Sequence, residues 1–144
     1  MKVLFLDIDG VLNSRRSATA FGGYPWDFDE KGMSRFDMVA FRLIQKLVKE
    51  TGCKIVLSST WRIGRTIEET SKGLDVEVIG HTPQLSACRG EEIKEWLSLN
   101  KVDKYAIVDD DGDMLDEQKP FFVQTNPIEG LSYINYDHLL HLLG

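Results

Sequence analysis

Two aspartates one residue apart end the first apolar run of the chain, and this segment constrains the fold more than any other. Residues 3–6 have the length and apolar character of a buried strand, and Gly10 allows a sharp backbone turn after it. Clustered carboxylates such as Asp7 and Asp9 repel each other and resist desolvation, and a bound cation would relieve that repulsion. Oxygen ligands of this kind suit Mg²⁺. The segment therefore predicts a strand that leads into a metal site, the alternative being two solvated aspartates before a turn.

Strands and helices alternate along the rest of the chain. Further strands are predicted at residues 53–57, 76–79, 105–108 and 121–123. Helices are predicted at about 34–51, 65–72 and 89–99, with a closing helix around the leucines of 139–143. Residues 14–33 show neither the helical nor the strand periodicity of apolar residues, which predicts an ordered loop or short hairpin flap. Its aromatic residues either cover one edge of the core or form a small lid over the site.

This alternation predicts an α/β fold, a Rossmann-like three-layer sandwich around a five-stranded parallel sheet with a minimal cap or flap. We expect one domain over residues 1–144, with the flap at about 14–33. Ligands of such sheets bind beyond the carboxyl ends of the strands. Polar side chains follow three of the predicted strands there, namely Asp7, Asp9, Ser58, Asp109 and Asp110.

Length, charge and cysteine content narrow the class of protein. A chain of 144 residues suits one domain, and a net charge of −6 argues against binding to nucleic acid through a broad basic surface. A local basic patch is still compatible with that charge. Cys53 and Cys88 are expected to be free thiols. The sequence has no signal-peptide pattern and no apolar stretch near the ~20 residues of a membrane span. We therefore expect a soluble cytoplasmic protein with no membrane partner.

Residues 7–12, Asp-Ile-Asp-Gly-Val-Leu, resemble the first motif of the haloacid dehalogenase-like (HAD) phosphatases, Asp-x-Asp-Gly-(Thr or Val)-Leu. The resemblance implies that Asp7 is the nucleophile of an aspartyl-phosphate mechanism and Asp9 the general acid and base. It also implies a Mg²⁺ cofactor, which the Asp9 position contacts through a backbone carbonyl. Ser58 matches the second motif, which binds a phosphate oxygen, and Ser59 is an alternative in register.

Two further motifs of the family have counterparts here. Arg89 lies where the third motif has a cation, usually lysine, and Lys94 is the alternative. Residues 108–110, Val-Asp-Asp, resemble the acidic fourth motif, which completes the metal site. Asp110 is the expected direct ligand and Asp109 a second ligand or the partner of Arg89. Asp113 would replace them if the turn were longer.

Several segments look like the compact HAD domains found in phages and bacteria, some of which are fused to RNA-repair enzymes. These segments are residues 57–62, 92–97, 108–111 and 130–132. The likeness suggests a nucleotide or polynucleotide-end phosphate as substrate. Arginines are candidates to bind further phosphates, and aromatic residues are candidates to stack a base, with core packing the alternative for Trp61. These candidates are Arg15, Arg16, Arg62, Arg65, Tyr24, Trp26 and Trp61.

Other functions compete with this interpretation. A response-regulator receiver also forms an aspartyl-phosphate, but it needs an aspartate after the third strand, where this chain has Gly80 and His81. A non-catalytic phosphate- or metal-binding module with a relic site would be expected to have lost at least one acid. A phosphatase of a small non-nucleotide metabolite fits the motifs as well as a polynucleotide phosphatase does. The oligomeric state is not indicated by the sequence.

Overall fold

Five parallel strands form one sheet in the computed structural model, which describes residues 1–144. Their spatial order is β3-β2-β1-β4-β5, so β1 is central. From β1 the chain adds β2 and β3 on one side of the sheet and then crosses to add β4 and β5 on the other side. The expected α/β class and parallel sheet are confirmed. The strands are β1 Lys2–Leu6, β2 Lys54–Leu57, β3 Val78–His81, β4 Lys104–Asp109 and β5 Phe122–Gln124.

Helices cover both faces of the sheet. Alternate residues of β1 point to opposite faces, so that Leu4 and Leu6 join a core cluster of 23 buried residues while Val3 and Phe5 join a second cluster of seven. The larger cluster includes residues of α3 and α6, and the smaller includes residues of α5, which gives the three layers. The helices are α1 Arg15–Phe21, α2 Glu30–Met33, α3 Met38–Thr51, α4 Ile67–Leu74, α5 Arg89–Ser98 and α6 Tyr133–Leu143.

The flap at residues 14–33 consists of two short helices joined by the irregular residues 22–29, so the expected hairpin is wrong and the expected loop describes only the middle of the flap. It contains α1 and α2, whose first turns are capped by Ser14 and Asp29. The long third helix begins at Met38 and not near residue 34, because the side chain of Asp37 accepts hydrogen bonds from the backbone of Val39 and Ala40. Short 3-10 turns at Thr60–Arg62 and Asp116–Phe121 complete the connections.

None of the helices combines the length and the apolar composition that crossing a lipid bilayer requires. Cys53 and Cys88 are both free, as expected.

Candidate active site

The residues that follow the strands stand in a row along the carboxyl edge of the sheet. The backbone N–H of Asp7 donates to the carbonyl of Val108, and that of Ser58 donates to the carbonyl of Leu6. Equivalent bonds fix Thr82 beside β2 and Thr125 beside β4. The strand ladder thus continues past the strand ends and fixes the side chains of this row at the place where ligands of such sheets bind.

Three carboxylates converge at the centre of this row. Asp7, Asp109 and Asp110 each place an oxygen within 4.8 Å of the others. Asp7 and Asp109 are buried and Asp110 is half-buried. Burial, and then the neighbouring Asp109 carboxylate, raise the pKa of Asp7 to about 9. Burial also raises the pKa of Asp110. The cluster therefore holds more negative charge than the protein alone neutralises.

Arg89 is the cation that meets this cluster. Its Nη1 lies 3.1 Å from Oδ1 of Asp7 and 2.6 Å from Oδ2 of Asp109. Lys94, the alternative from the sequence, is exposed and pairs with Glu117 at 3.7 Å. Of the two candidates the structure brings only Arg89 to the carboxylates, at the first residue of α5.

The remaining acids of this loop have other partners. Both oxygens of Asp109 accept hydrogen bonds, Oδ1 from the backbone of Asp111 and Oδ2 from Arg89. Asp113 caps α5, since its side chain accepts from the N–H of Arg89 and its carbonyl accepts from the N–H of Gly90. Asp110 is left as the loop carboxylate of the cluster whose side chain accepts no hydrogen bond, and its role as the direct metal ligand stays a prediction.

Gly10 creates the space in which Asp110 lies. A Cβ at Gly10 would be 2.3 Å from Oδ2 of Asp110, and the φ of Gly10 is +82°. Close approach and backbone conformation both require glycine at this position. The oxygen-only donor set and its excess negative charge fit a hard divalent cation such as Mg²⁺.

The carboxylate of Asp9 lies outside the three-carboxylate group. It is exposed, and its Oδ1 accepts hydrogen bonds from Nδ2 of Asn13 at 2.9 Å and from Nε1 of Trp61 at 3.1 Å. The expected metal contact at this position is a backbone carbonyl, and the side chain is oriented independently of the cluster. The two donors were not identified from the sequence. Asn13 reaches Asp9 through the turn at Gly10, and Trp61 reaches it through the 3-10 turn at Thr60–Arg62.

Ser58 carries a buried hydroxyl without a protein partner. Its Oγ makes no hydrogen bond, whereas Oγ of Ser59, the alternative in register, accepts from the backbone of Trp61. A buried polar atom with no partner needs an explanation, and a ligand oxygen supplies one. Thr82 has the same property at the end of β3 and was missed. Its signal was a hydroxyl residue in the polar turn at residues 80–83 that follows the predicted third strand.

Two residues predicted to bind substrate have structural roles instead. The guanidinium of Arg62 is buried, donates to the carbonyls of Ser59 and Thr82, and lies 3.2 Å from Glu92. The prediction that Arg62 binds a substrate phosphate is therefore wrong. Trp61 is only 6% exposed and cannot stack a base, so the alternative of core packing describes it.

The other candidates for substrate contacts lie on or beside the flap. Arg15 and Arg16 are exposed on α1, and Arg16 is 3.7 Å from Glu129. Arg65 lies over the ring of Trp61 at 4.8 Å and donates to the carbonyl of Trp26. Trp26 is 77% exposed, whereas Phe28 and Phe36 pack against Trp61. Part of the flap therefore covers the core, and Trp26 and Tyr24 face solvent.

The chain matches a protein-family model over residues 3–135. That model is described as the HAD domain in Swiss Army Knife RNA repair proteins. The matched region contains the carboxylate cluster, Arg89, Ser58 and the flap. No curated protein and no solved structure matches the chain.

Proposed function

Because the chain belongs to the family of HAD domains in Swiss Army Knife RNA repair proteins, we propose that it is a Mg²⁺-dependent phosphomonoesterase. Its reaction proceeds through an aspartyl-phosphate, and its substrate is a phosphate on a nucleotide or at a polynucleotide end. The observation that supports this most directly is the buried carboxylate cluster with Arg89 at the carboxyl edge of the sheet. Two free cysteines suit a reducing compartment such as the cytoplasm.

Asp7 and Asp110 are the side chains that would hold the metal ion. When bound, the ion offsets carboxylate charge and polarises a phosphoryl oxygen. Only the ionised carboxylate of Asp7 is a nucleophile, and its raised pKa disfavours ionisation. The positive charge of a bound metal ion would favour the ionised form.

In the first step an oxygen of Asp7 attacks phosphorus, the bond from phosphorus to the leaving oxygen breaks, and Asp9 donates a proton to that oxygen. In the second step Asp9 takes a proton from water. The water oxygen bonds to phosphorus, the bond from Asp7 to phosphorus breaks, and inorganic phosphate is released. Ser58 Oγ and Arg89 are the donors available to the phosphoryl oxygens, which carry the charge in the transition state.

The flap supports a large substrate. Only residues 7–37 lie between β1 and α3, and α1 and α2 have seven and four residues, too few for a core of their own. Exposed Arg15, Arg16, Tyr24 and Trp26 offer charge and aromatic surface to a nucleic-acid end. A small-metabolite phosphatase would not need these groups.

The test is phosphate release from 4-nitrophenyl phosphate and from oligonucleotides phosphorylated at the 3′ or the 5′ end, with Mg²⁺ and with chelator. We expect turnover only with Mg²⁺, and a loss of about 10³-fold or more in Asp7→Asn. Asp111→Asn is the matched control, because Asp111 is an exposed acid of the same region outside the cluster.

Each outcome has a separate meaning. No turnover of any ester would contradict the phosphatase and support a binding module. Turnover of small sugar phosphates in preference to oligonucleotides would favour the metabolite phosphatase.

A further inference from the structure

Two buried donors hold a single oxygen of the exposed Asp9 carboxylate. Asn13 is fully buried, Trp61 is nearly so, and both donate to Oδ1, while Oδ2 accepts no hydrogen bond from the protein. Oδ1 of Asn13 accepts from the N–H of Gly10 in turn. The Asp9 side chain is thus fixed to the same turn on which Asp110 packs, with one oxygen anchored and one free.

Trp61 is itself fixed by three side chains, of which Phe28 belongs to the flap. Its ring packs against Phe28 at 4.9 Å and Phe36 at 5.5 Å between ring centroids, and the guanidinium of Arg65 covers it at 4.8 Å. Phe28 lies directly on Gly73 of α4, where a Cβ would be 2.3 Å from the phenyl ring. Phe28 therefore lies between α4 and Trp61, and the flap and the indole form one packed unit.

We propose that Trp61 and Asn13 are positioning residues for proton transfer by Asp9, and that Phe28 of the flap acts through Trp61 in this role. The role rests on the proposed function. Anchoring Oδ1 leaves Oδ2 to give its proton to the leaving oxygen as the bond from phosphorus to that oxygen breaks, and to take a proton from water in the second step. A carboxylate that is already fixed loses less conformational entropy on reaching the transition state than a mobile one does.

The activity test compares two esters that differ by one methylene. The phenolate of 4-nitrophenyl phosphate leaves without a proton, whereas the alkoxide of 4-nitrobenzyl phosphate needs one. In Trp61→Phe, which keeps an aromatic ring but removes the Nε1 donor, we expect kcat/KM for the benzyl ester to fall on the order of tenfold to a hundredfold more than for the phenyl ester. Trp96→Phe is the matched control, because it makes the same substitution in the core cluster on the other face of the sheet, and its losses on the two esters should be equal.

A second measurement does not depend on activity. The chain has three tryptophans, so its nitrogen–proton NMR spectrum contains three indole signals, and Trp61→Phe identifies the signal of Trp61. In Asp9→Ala the Trp61 signal should move, and the signal of Trp96, which lies in the core cluster on the other face of the sheet, should not. Should Trp61→Phe fail to unfold cooperatively, Phe28→Leu replaces it and must show the same ester-selective loss.

The results that would overturn the proposal are distinct. Equal losses on the two esters in Trp61→Phe would leave Trp61 as packing alone. An unmoved Trp61 signal in Asp9→Ala would remove the contact itself. If the wild-type chain hydrolysed neither ester while the indole signal responded, the contact would stand, but the proposed function and the role that rests on it would both fail.

Discussion

At the scale of single residues, Asp7 links the chemistry of the site to the stability of the fold. Its pKa in the folded chain is about 9, against an ordinary value of 3.8, with burial as the largest cause. Between these two values the folded state binds more protons than the unfolded state, so stability falls as pH rises through this window. The contribution of Asp7 to stability is fully present below the lower value and is lost as pH passes the higher one.

Asp7→Asn should therefore stabilise the metal-free protein at alkaline pH. Asparagine keeps the shape of the side chain and removes the buried charge, and we expect a melting temperature several degrees above wild type at about pH 8, with ~3–4 °C for each kcal/mol. The difference should shrink towards pH 4. Thermal unfolding followed by circular dichroism at both pH values, with chelator present, measures it.

Addition of Mg²⁺ completes this test. It should raise the melting temperature of the wild type and of the exposed control Asp111→Asn, and should raise that of Asp7→Asn less. An Asp7→Asn protein less stable than wild type at alkaline pH would show that the ionised carboxylate of Asp7 does not destabilise the folded chain.

Site residues differ in how far the sequence identifies them. Asp7, Ser58 and Asp110 follow predicted strands, and the convergence of strand ends at one edge of a parallel sheet places them together without any knowledge of side-chain packing. Arg62 and Trp61 lie in the same matching segment, but the guanidinium of Arg62 is enclosed by backbone carbonyls and Glu92, and the indole of Trp61 donates to Asp9. Their direction depends on the 3-10 turn at Thr60–Arg62, which has no apolar period that could predict it.

At the scale of elements, the turn after β1 shapes the cluster. In Gly10→Ala the new Cβ would clash with Asp110, and the positive φ would be strained. We expect Mg²⁺ affinity and kcat/KM each to fall by about tenfold or more, as measured by calorimetry and by phosphate release. Gly112→Ala is the control in the facing loop, because its nearest neighbour to a new Cβ is Gln124 at 3.6 Å. Equal effects in the two variants would contradict this account.

The Arg62–Glu92 pair joins α5 to the ends of β2 and β3. Its side chains are 5% and 11% exposed, and Glu92 also accepts from the backbone of Leu85. Arg62→Ala would leave a buried carboxylate without its cation, and we expect it to lower the free energy of unfolding by about 3–5 kcal/mol.

Urea unfolding measures that loss. Lys46→Ala, which removes the exposed partner of Glu50, should cost less than about 1 kcal/mol. Unchanged stability of Arg62→Ala together with a raised KM would restore the original prediction that Arg62 binds substrate.

The flap helices show why short elements escape prediction. Helix α1 has seven residues and buries only Ser17 and Ala18, so it has no apolar stripe. It is held instead by the Ser14 capping box and by hydrogen bonds from the backbone of Arg15 and Arg16 to the carbonyls of Pro127 and Ile128. Partners more than a hundred residues away along the chain cannot be deduced from a local pattern.

At the scale of the whole molecule, the net charge is negative although exposed arginines lie near the candidate site. The chain carries a net charge of −6, yet Arg15 and Arg16 stand exposed on α1, and Arg15 is two residues after Asn13, which contacts Asp9. An acidic protein that binds a nucleic-acid end must do so through a few local cations. The sequence alone indicated four arginines. The structure leaves Arg15 and Arg16 accessible, encloses Arg62 and places Arg65 over the ring of Trp61.

The double variant Arg15→Gln/Arg16→Gln should therefore impair the turnover of large substrates and leave that of small ones unchanged. A protein that makes fewer phosphate contacts releases fewer counterions when it binds. For single strands the slope of log affinity against log salt should therefore become shallower by about 0.7 for each lost contact, or ~1.4 for both. We expect KM for a phosphorylated oligonucleotide to rise at low salt and its salt dependence to flatten, while kcat/KM for 4-nitrophenyl phosphate stays near wild type.

Lys46→Gln/Lys49→Gln makes the same change of net charge on α3, and both lysines are exposed in the part of that helix that runs away from the carboxyl edge of the sheet. If the oligonucleotide contacts are local, this control keeps the steep salt dependence of the wild type. Equal flattening in the two double variants would mean that only total charge matters, and unchanged salt dependence in both would mean that neither pair meets the substrate. In either case the small-metabolite phosphatase becomes the better description, because turnover of 4-nitrophenyl phosphate depends on Asp7, Asp9 and Asp110 and not on the arginines of α1.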